Sequence, residues 1–89
     1  MKPKSTNADD PEMVALAALG WILGDDRRAE RLLSVTGMTP EGLRAGVNER
    51  AVLGAVLSFL LGHEPDLLAC AEAMNMRPED LAAAGRDLE

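Results

Sequence analysis

Two residue types suited to nucleophilic or acid–base chemistry occur only once each in this sequence, as Cys70 and His63. A reactive thiol needs a neighbouring base or a positive local field. Cys70 lies in an apolar helical run, where a free cysteine is usually a small buried hydrophobe. His63 stands seven residues upstream, one helix end away, so no catalytic Cys–His pair is expected. A single cysteine also excludes an intramolecular disulfide. His63-Glu64-x-Asp66 offers hard ligands, but a metal site needs several converging His, Cys or carboxylate groups. These three stand at a helix start, where acids complement the helix dipole. The carboxylate pairs Asp9-Asp10, Asp25-Asp26 and Glu79-Asp80 fall at helix starts too, so one explanation covers all of them. There is no glycine-rich phosphate loop and no nucleophile elbow. No catalytic residue, cofactor site or metal site is expected, and the chain is not read as an enzyme.

The basic residues say little more. Arg27, Arg28 and Arg31 form the only cluster, interleaved with Asp25, Asp26 and Glu30, a pattern that reads as a solvated helix face. The net charge is −6 and the isoelectric point about 4.7, so the bulk charge repels phosphate. The second predicted helix alternates arginines with acids and the fifth is acidic, which is poor material for reading base edges. Nucleic-acid binding is disfavoured. "AVLGAVLSFLLG", Ala51 to Gly62, is the longest apolar run and too short to span a membrane. "MKPKSTNADD" has no apolar segment of a secretory signal. A cytoplasmic protein without a membrane partner is expected.

The elements that would hold these residues are helices. Of the 89 residues 47% are hydrophobic, with no Tyr, one Phe and one Trp. Ala and Leu dominate, and strand formers are scarce. The first nine residues read as a mobile polar tail, followed by one helical domain over 10–86. Asp10-Pro11-Glu12 is a helix start: an Asp cap, Pro at the first position and an acid in the first turn. That helix is expected to close at Gly24 in a left-handed stop. Asp25-Asp26 restarts a helix that closes at Gly37, and Thr39-Pro40-Glu41 starts a short one ending near Gly46. Asn48 is the expected cap of a fourth helix, which closes at Gly62. A fifth restarts at Pro65-Asp66 and closes at Asn75. A sixth starts at Pro78-Glu79-Asp80 and ends near Gly85.

This order of starts and stops is one three-helix unit written twice. "GMTPEGLRA" from Gly37 returns as "NMRPEDLAA" from Asn75, and residues 14–47 match 52–85 at ten of 34 positions without a gap. The expected fold is all-α: a compact bundle of about six short helices, made of two repeats (about 10–47 and 48–85) offset by 38 and related by a pseudo-two-fold axis. Two units are too few for an open solenoid, so they should close face to face on the first and fourth helices. Gly20, Gly54 and Ser58 are small enough to let those two backbones approach.

With no chemistry to carry, a protein-interaction or regulatory module is the expected function. A helix-turn-helix-like nucleic-acid binder and a small-molecule-binding bundle are the alternatives. The candidate partner surface is a groove flanked by Met38, Met74 and Met76, whose flexible side chains adapt to partners; core filling is their competing role. Trp21 and Phe59 occupy equivalent repeat positions. They read first as core anchors at equal depth, and otherwise as an aromatic contact for a protein partner or for a second subunit in a homodimer.

"ALAALGWILGDDRRAERLLSVTGMTPEGLRA" followed by "AVLGAVLSFLLGHEPDLLACAEAMNMRPEDLAAA" resembles the domain-of-unknown-function family numbered 3572. The likeness runs from about Val14 to Ala84. It implies a short helical bacterial protein and brings no catalytic or binding residues with it. The terminal Leu88-Glu89 matches a cloning remnant as well as native sequence.

Overall fold

Asp10 sets where the first helix begins. Its carboxylate accepts a hydrogen bond from the Glu12 backbone N–H at 3.0 Å, and Pro11 takes the first helical position, where no N–H is needed. Helix α1 then runs Pro11–Leu23. The computed structural model describes residues 10–88; the expected polar tail over 1–9, the Asp9 half of the first acid pair and Glu89 lie outside the described residues. Helix α2, Asp26–Thr36, is capped by Asp25, which accepts from the N–H groups of Arg27 at 2.9 Å and Arg28 at 3.2 Å. Helix α3, Pro40–Ala45, is capped by Thr39, which accepts from the Gly42 N–H at 3.0 Å. Helices α4 (Arg50–Leu61), α5 (Glu64–Ala73) and α6 (Pro78–Asp87) follow. No strand occurs among the described residues, and the all-α bundle of six helices stands.

Several local expectations need correction. Gly24 closes α1, but with φ −73° in the right-handed region, because the chain turns straight into the Asp25 cap. Asn48 is not a cap. The chain makes a turn after α3, with the Glu49 N–H donating to the Gly46 carbonyl at 2.8 Å, so α4 begins one residue later, after Glu49, with no side-chain cap. Gly85 does not end α6. It is buried inside the helix, where a Cβ would fall 2.9 Å from Leu61 Cδ1, so its smallness serves packing against α4.

The core forms around α1 and α4, the pair in most extensive contact. Four pairs of their buried residues share the 38-residue register, Ala15 with Leu53, Ala18 with Val56, Leu19 with Leu57 and Ile22 with Leu60, whereas buried Val14 and Phe59 correspond to half-buried Val52 and Trp21. Helices α2 and α5 each pack on both central helices. The third helices differ, since α6 packs on α1, α4 and α5, whereas six-residue α3 makes no contact of that extent and is anchored by buried Leu43. Small residues do line the centre, but they are fully buried Ala15 and Ala18. Gly54 instead admits the end of the chain: a Cβ there would sit 3.1 Å from the Leu88 carbonyl. Leu88 is itself a core residue, 4% exposed. Ser58 is exposed, and Gly20 faces open space. Arg50 ties three elements together, pairing with Glu12 of α1 at 3.7 Å and donating to the Asp87 carbonyl of α6.

Candidate functional site

A groove of about 390 Å³ runs between the end of α2 and the outer face of α4. Its making is local. Gly37, at φ 76°, turns the chain back after α2, and the Met38 N–H then donates to Thr36 Oγ1 at 3.3 Å. Thr36 spends its own proton on the Leu32 carbonyl at 2.7 Å. Met38 is thereby carried over α4, where Val52 and Phe59 meet it. Phe59 is buried; Met38 and Val52 are half-buried; Val35 stands at the lip with 69% of its surface exposed. Ser58 and Thr36 are the polar side chains lining the groove. Such a lining suits an apolar side chain, and no histidine or carboxylate lines it beside the two hydroxyls.

The five residues nominated from sequence do not form one site. Met38 and Phe59 share this groove. Met76 lines a separate cleft at the α5–α6 corner, with Leu68 and Arg77. Met74 follows α5, half-buried, its sulfur 3.5 Å from Cys70 Sγ, and so fills core space. The three-methionine groove is therefore corrected: tight reversals after α2 and after α5 deliver Met38 and Met76 to different corners. Trp21 and Phe59 are also not equally deep. Phe59 is 7% exposed, while Trp21 is half-buried under the Arg28 guanidinium, 3.7 Å from the ring centroid. The position equivalent to Arg28 in the second half is Asp66, which cannot roof a ring.

The arginine cluster is more than a solvated face. Arg28 Nη2 donates to the Trp21 carbonyl at 2.6 Å, and Arg31 Nη2 donates to Asp66 Oδ2 at 2.5 Å, joining α2 to α5. Of the three, Arg27 is left exposed with no ion pair to a described residue. The acids keep the places expected of them: Asp25 caps α2, Glu64 and Asp66 lie in the first turn of α5, and Glu79 and Asp80 in that of α6. The backbone hydrogen bond from Arg28 holds the Asp25 carboxyl below the ordinary 3.8; desolvation opposes it, and the Arg27 backbone hydrogen bond and both guanidinium charges add to it. Cys70 is fully buried, and burial pushes its thiol up to about 11. His63 lies at the exposed start of α5, with Nε2 3.9 Å from Asp66 Oδ2. No group of three or more His, Cys, Asp or Glu side chains among the described residues is placed to hold a metal ion. No single helix among them is long and apolar enough to cross a membrane.

Sequence reasoning missed Val35 and Val52, and it missed the outward face of α1, where Met13, Leu16 and Leu23 are 44%, 38% and 48% exposed. A signal for that face did exist: α1 has no charged side chain after Glu12. A helix apolar all round must expose part of that surface unless it is wholly enclosed.

The family model described as "Protein of unknown function (DUF3572)" matches residues 8–89. No curated protein and no solved structure gives a significant match.

Proposed function

The chain belongs to the DUF3572 family, and from that starting point we propose that it is a non-enzymatic protein-interaction module of the cytoplasm. Its partner sets an apolar side chain into the groove between α2 and α4. The observation that carries this reading is Val35: a β-branched residue 69% exposed at the lip of an apolar groove. Burying a side chain of that size contributes about 1.5–3 kcal/mol. Met38, flexible at the groove wall, can adjust to the shape that enters. The chain's charge of −6 favours encounter with basic partners. Two of the three clustered arginines, Arg28 and Arg31, are engaged within the fold, which favours protein over nucleic acid. We also read the two halves as a tandem duplication, on the strength of the shared register of core positions.

The experiment is a pull-down from bacterial lysate with wild type and Val35→Asp, read by mass spectrometry. A protein retained by the wild type and lost with Val35→Asp, with helical circular dichroism unchanged, supports the reading. Equal retention by both proteins, or co-purification of a metabolite alone, overturns it.

A further inference from the structure

We infer that the cleft between α1, α2 and α3 binds a small apolar monocarboxylate of the medium-chain fatty-acid class, its chain in the cleft and its carboxylate on Arg44. The cleft has a volume of about 340 Å³ and shares no lining residue with the α2–α4 groove. Leu19 and Leu23 of α1 form one wall, Leu33 of α2 the second, and Leu43 of α3 with Val47 the third. Leu19 and Leu43 are buried, Leu33 and Val47 are half-buried, and Leu23 is 48% exposed. The cleft lies toward the C-terminal end of α1, about 13–20 Å along the helix from Asp10 at roughly 1.5 Å per residue.

The second half of the chain shows why this cleft is open. Thirty-eight residues on, Leu57, Leu61, Leu81 and Gly85 stand in place of Leu19, Leu23, Leu43 and Val47. There α6 runs ten residues and packs on α1, α4 and α5. Gly85 comes so close to α4 that a Cβ would fall 2.9 Å from Leu61 Cδ1 and 3.4 Å from Leu57 Cβ. Leu57 and Leu81 are each 1% exposed. In the first half α3 stops after six residues, and a bulky Val47 holds the glycine's place. The end of α3 is seated on α4 instead, where a Cβ at Gly46 would fall 2.6 Å from Val52 Cγ2. Helix α3 therefore stands off α1 and α2. The space that α6 closes in one half stays open, among the described residues, in the other.

Arg44 sets what fits there. It is the one charged side chain lining the cleft, and its counterpart in the closed half is Ala82. Arg44 is exposed and pairs with no described acid. A cation in the last turn of α3 suits the helix dipole, but that role asks for no cleft beside it. An apolar cleft with one guanidinium at its edge matches a molecule with one apolar chain and one anionic end. The chain leaves water, and a planar carboxylate takes the guanidinium fork by two hydrogen bonds. A phosphate ester brings more charge than one arginine balances, on a chain that already carries −6. The size suits a small molecule, since ligand pockets begin at about 300 Å³, whereas a protein partner takes about 800 Å² of surface.

Titration of the full chain with octanoate, followed by methyl NMR, tests this. Saturable shifts are expected at Leu23, Leu33, Leu43 and Val47 by low-millimolar octanoate, with 1-octanol binding more weakly. Arg44→Ala changes an exposed side chain and should weaken octanoate about tenfold, the effect of one lost charge-assisted hydrogen bond, while 1-octanol binds as before. Val35→Asp should bind octanoate as the wild type does, whether or not its protein partner is lost. Absence of saturable shifts overturns the inference, as does octanoate binding undiminished in Arg44→Ala, or shifts centred on Met38 and Val52. A short peptide with a C-terminal leucine that outcompetes octanoate would make the occupant a protein C terminus, and the assignment of a free acid would fall.

Discussion

Gly37 and Asn75 hold the same left-handed backbone conformation, at φ 76° and 58°, at equivalent points of the two halves. Each ends a helix, by different bonds. After α2 the Gly37 N–H returns to the Leu33 carbonyl at 2.8 Å. After α5 the pattern is a Schellman motif, with Asn75 N–H to the Glu72 carbonyl at 3.1 Å and Met76 N–H to the Ala71 carbonyl at 2.8 Å. Asn75 is the sole non-glycine residue with positive φ among those described, and asparagine tolerates the conformation better than most side chains. A Cβ at Gly37 would meet nothing within 4 Å, so Gly37→Ala isolates the backbone cost, about 1–2 kcal/mol. Asn75→Ala should lose stability as well, and Asn75→Gly should lose none. Denaturant midpoints check all three; an unmoved Gly37→Ala midpoint would show that the reversal contributes nothing.

Helix caps give a second set of expectations. Thr39→Ala and Asp10→Ala should each cost about 0.5–2 kcal/mol, because each removes an acceptor that a helix N–H uses. Asn48→Ala should leave the urea midpoint where it is, since α4 starts after Glu49 with no side-chain cap. A loss at Asn48 equal to that at Thr39 would contradict the observed start of α4.

These starts and stops were legible in the sequence because they depend on the few residues around them. Asp10-Pro11, Thr39-Pro40 and the left-handed positions at 37 and 75 need no knowledge of the rest of the chain. What could not be read depends on residues far apart. Nothing local told that Arg28 and Arg31 would be claimed by Trp21 and Asp66 while Arg27 paired with none of the described residues. Gly54 was visible as a small residue, but its neighbour is Leu88, 34 positions on, so the partner was misassigned to α1. Of the groove's lining, Met38 and Phe59 were named from the sequence, but in separate roles. Val35, which makes the groove accessible, was hidden as one more apolar residue at the end of an amphipathic helix.

The Asp25 cap should also be visible in acid. Its folded-state pKa lies below the ordinary 3.8, chiefly through the backbone hydrogen bond from Arg28. A carboxylate lowered in this way contributes stability that is complete above the unfolded-state value and is lost as pH falls through the folded-state value. Asp25→Asn keeps a capping oxygen without the titration. Melting temperature should therefore fall less steeply below pH 3.8 in Asp25→Asn than in wild type. Parallel curves would mean that another carboxylate dominates the acid transition.

Cys70 makes the opposite prediction at the alkaline end. Burial raises its thiol from 9.0 to about 11, partly opposed by the Arg28 charge. Between those values the unfolded chain ionises while the folded one keeps its proton, so stability contributed below pH 9 is lost as pH rises toward 11. Cys70→Ala should remove that slope, whatever it costs at neutral pH. At pH 7 the fully buried thiol should react with a disulfide reagent only when the fold opens, with a rate that climbs with urea alongside the unfolded fraction. Rapid modification of the native protein without denaturant would place Cys70 at an accessible site after all.

The corner between α1 and α2 offers the most discriminating measurement, because Trp21 is the only tryptophan. Arg28 lies over the indole and donates to the Trp21 carbonyl, while its Nη1 is 3.7 Å from Asp25 Oδ2. One planar guanidinium thus closes a turn of only two residues between helices. Its Nε is buried without a hydrogen-bond partner among the described residues, which offsets part of the gain. A cation over an indole contributes about 0.5–1 kcal/mol and a hydrogen bond from a charged donor about 1.5–3 kcal/mol, so Arg28→Ala should cost roughly 1–3 kcal/mol. It should also uncover the ring: emission moves to longer wavelength and acrylamide quenching rises. Arg28→Lys keeps the charge but loses the flat face and the fork, so it should fall between the two. Phe59, 7% exposed, obeys a different rule. Phe59→Ala should cost about 3–5 kcal/mol as a core cavity, more than Trp21→Ala, although the two aromatics hold equivalent positions. Emission unchanged in Arg28→Ala would show that the core alone shields Trp21, and that the arginine above it is a bystander.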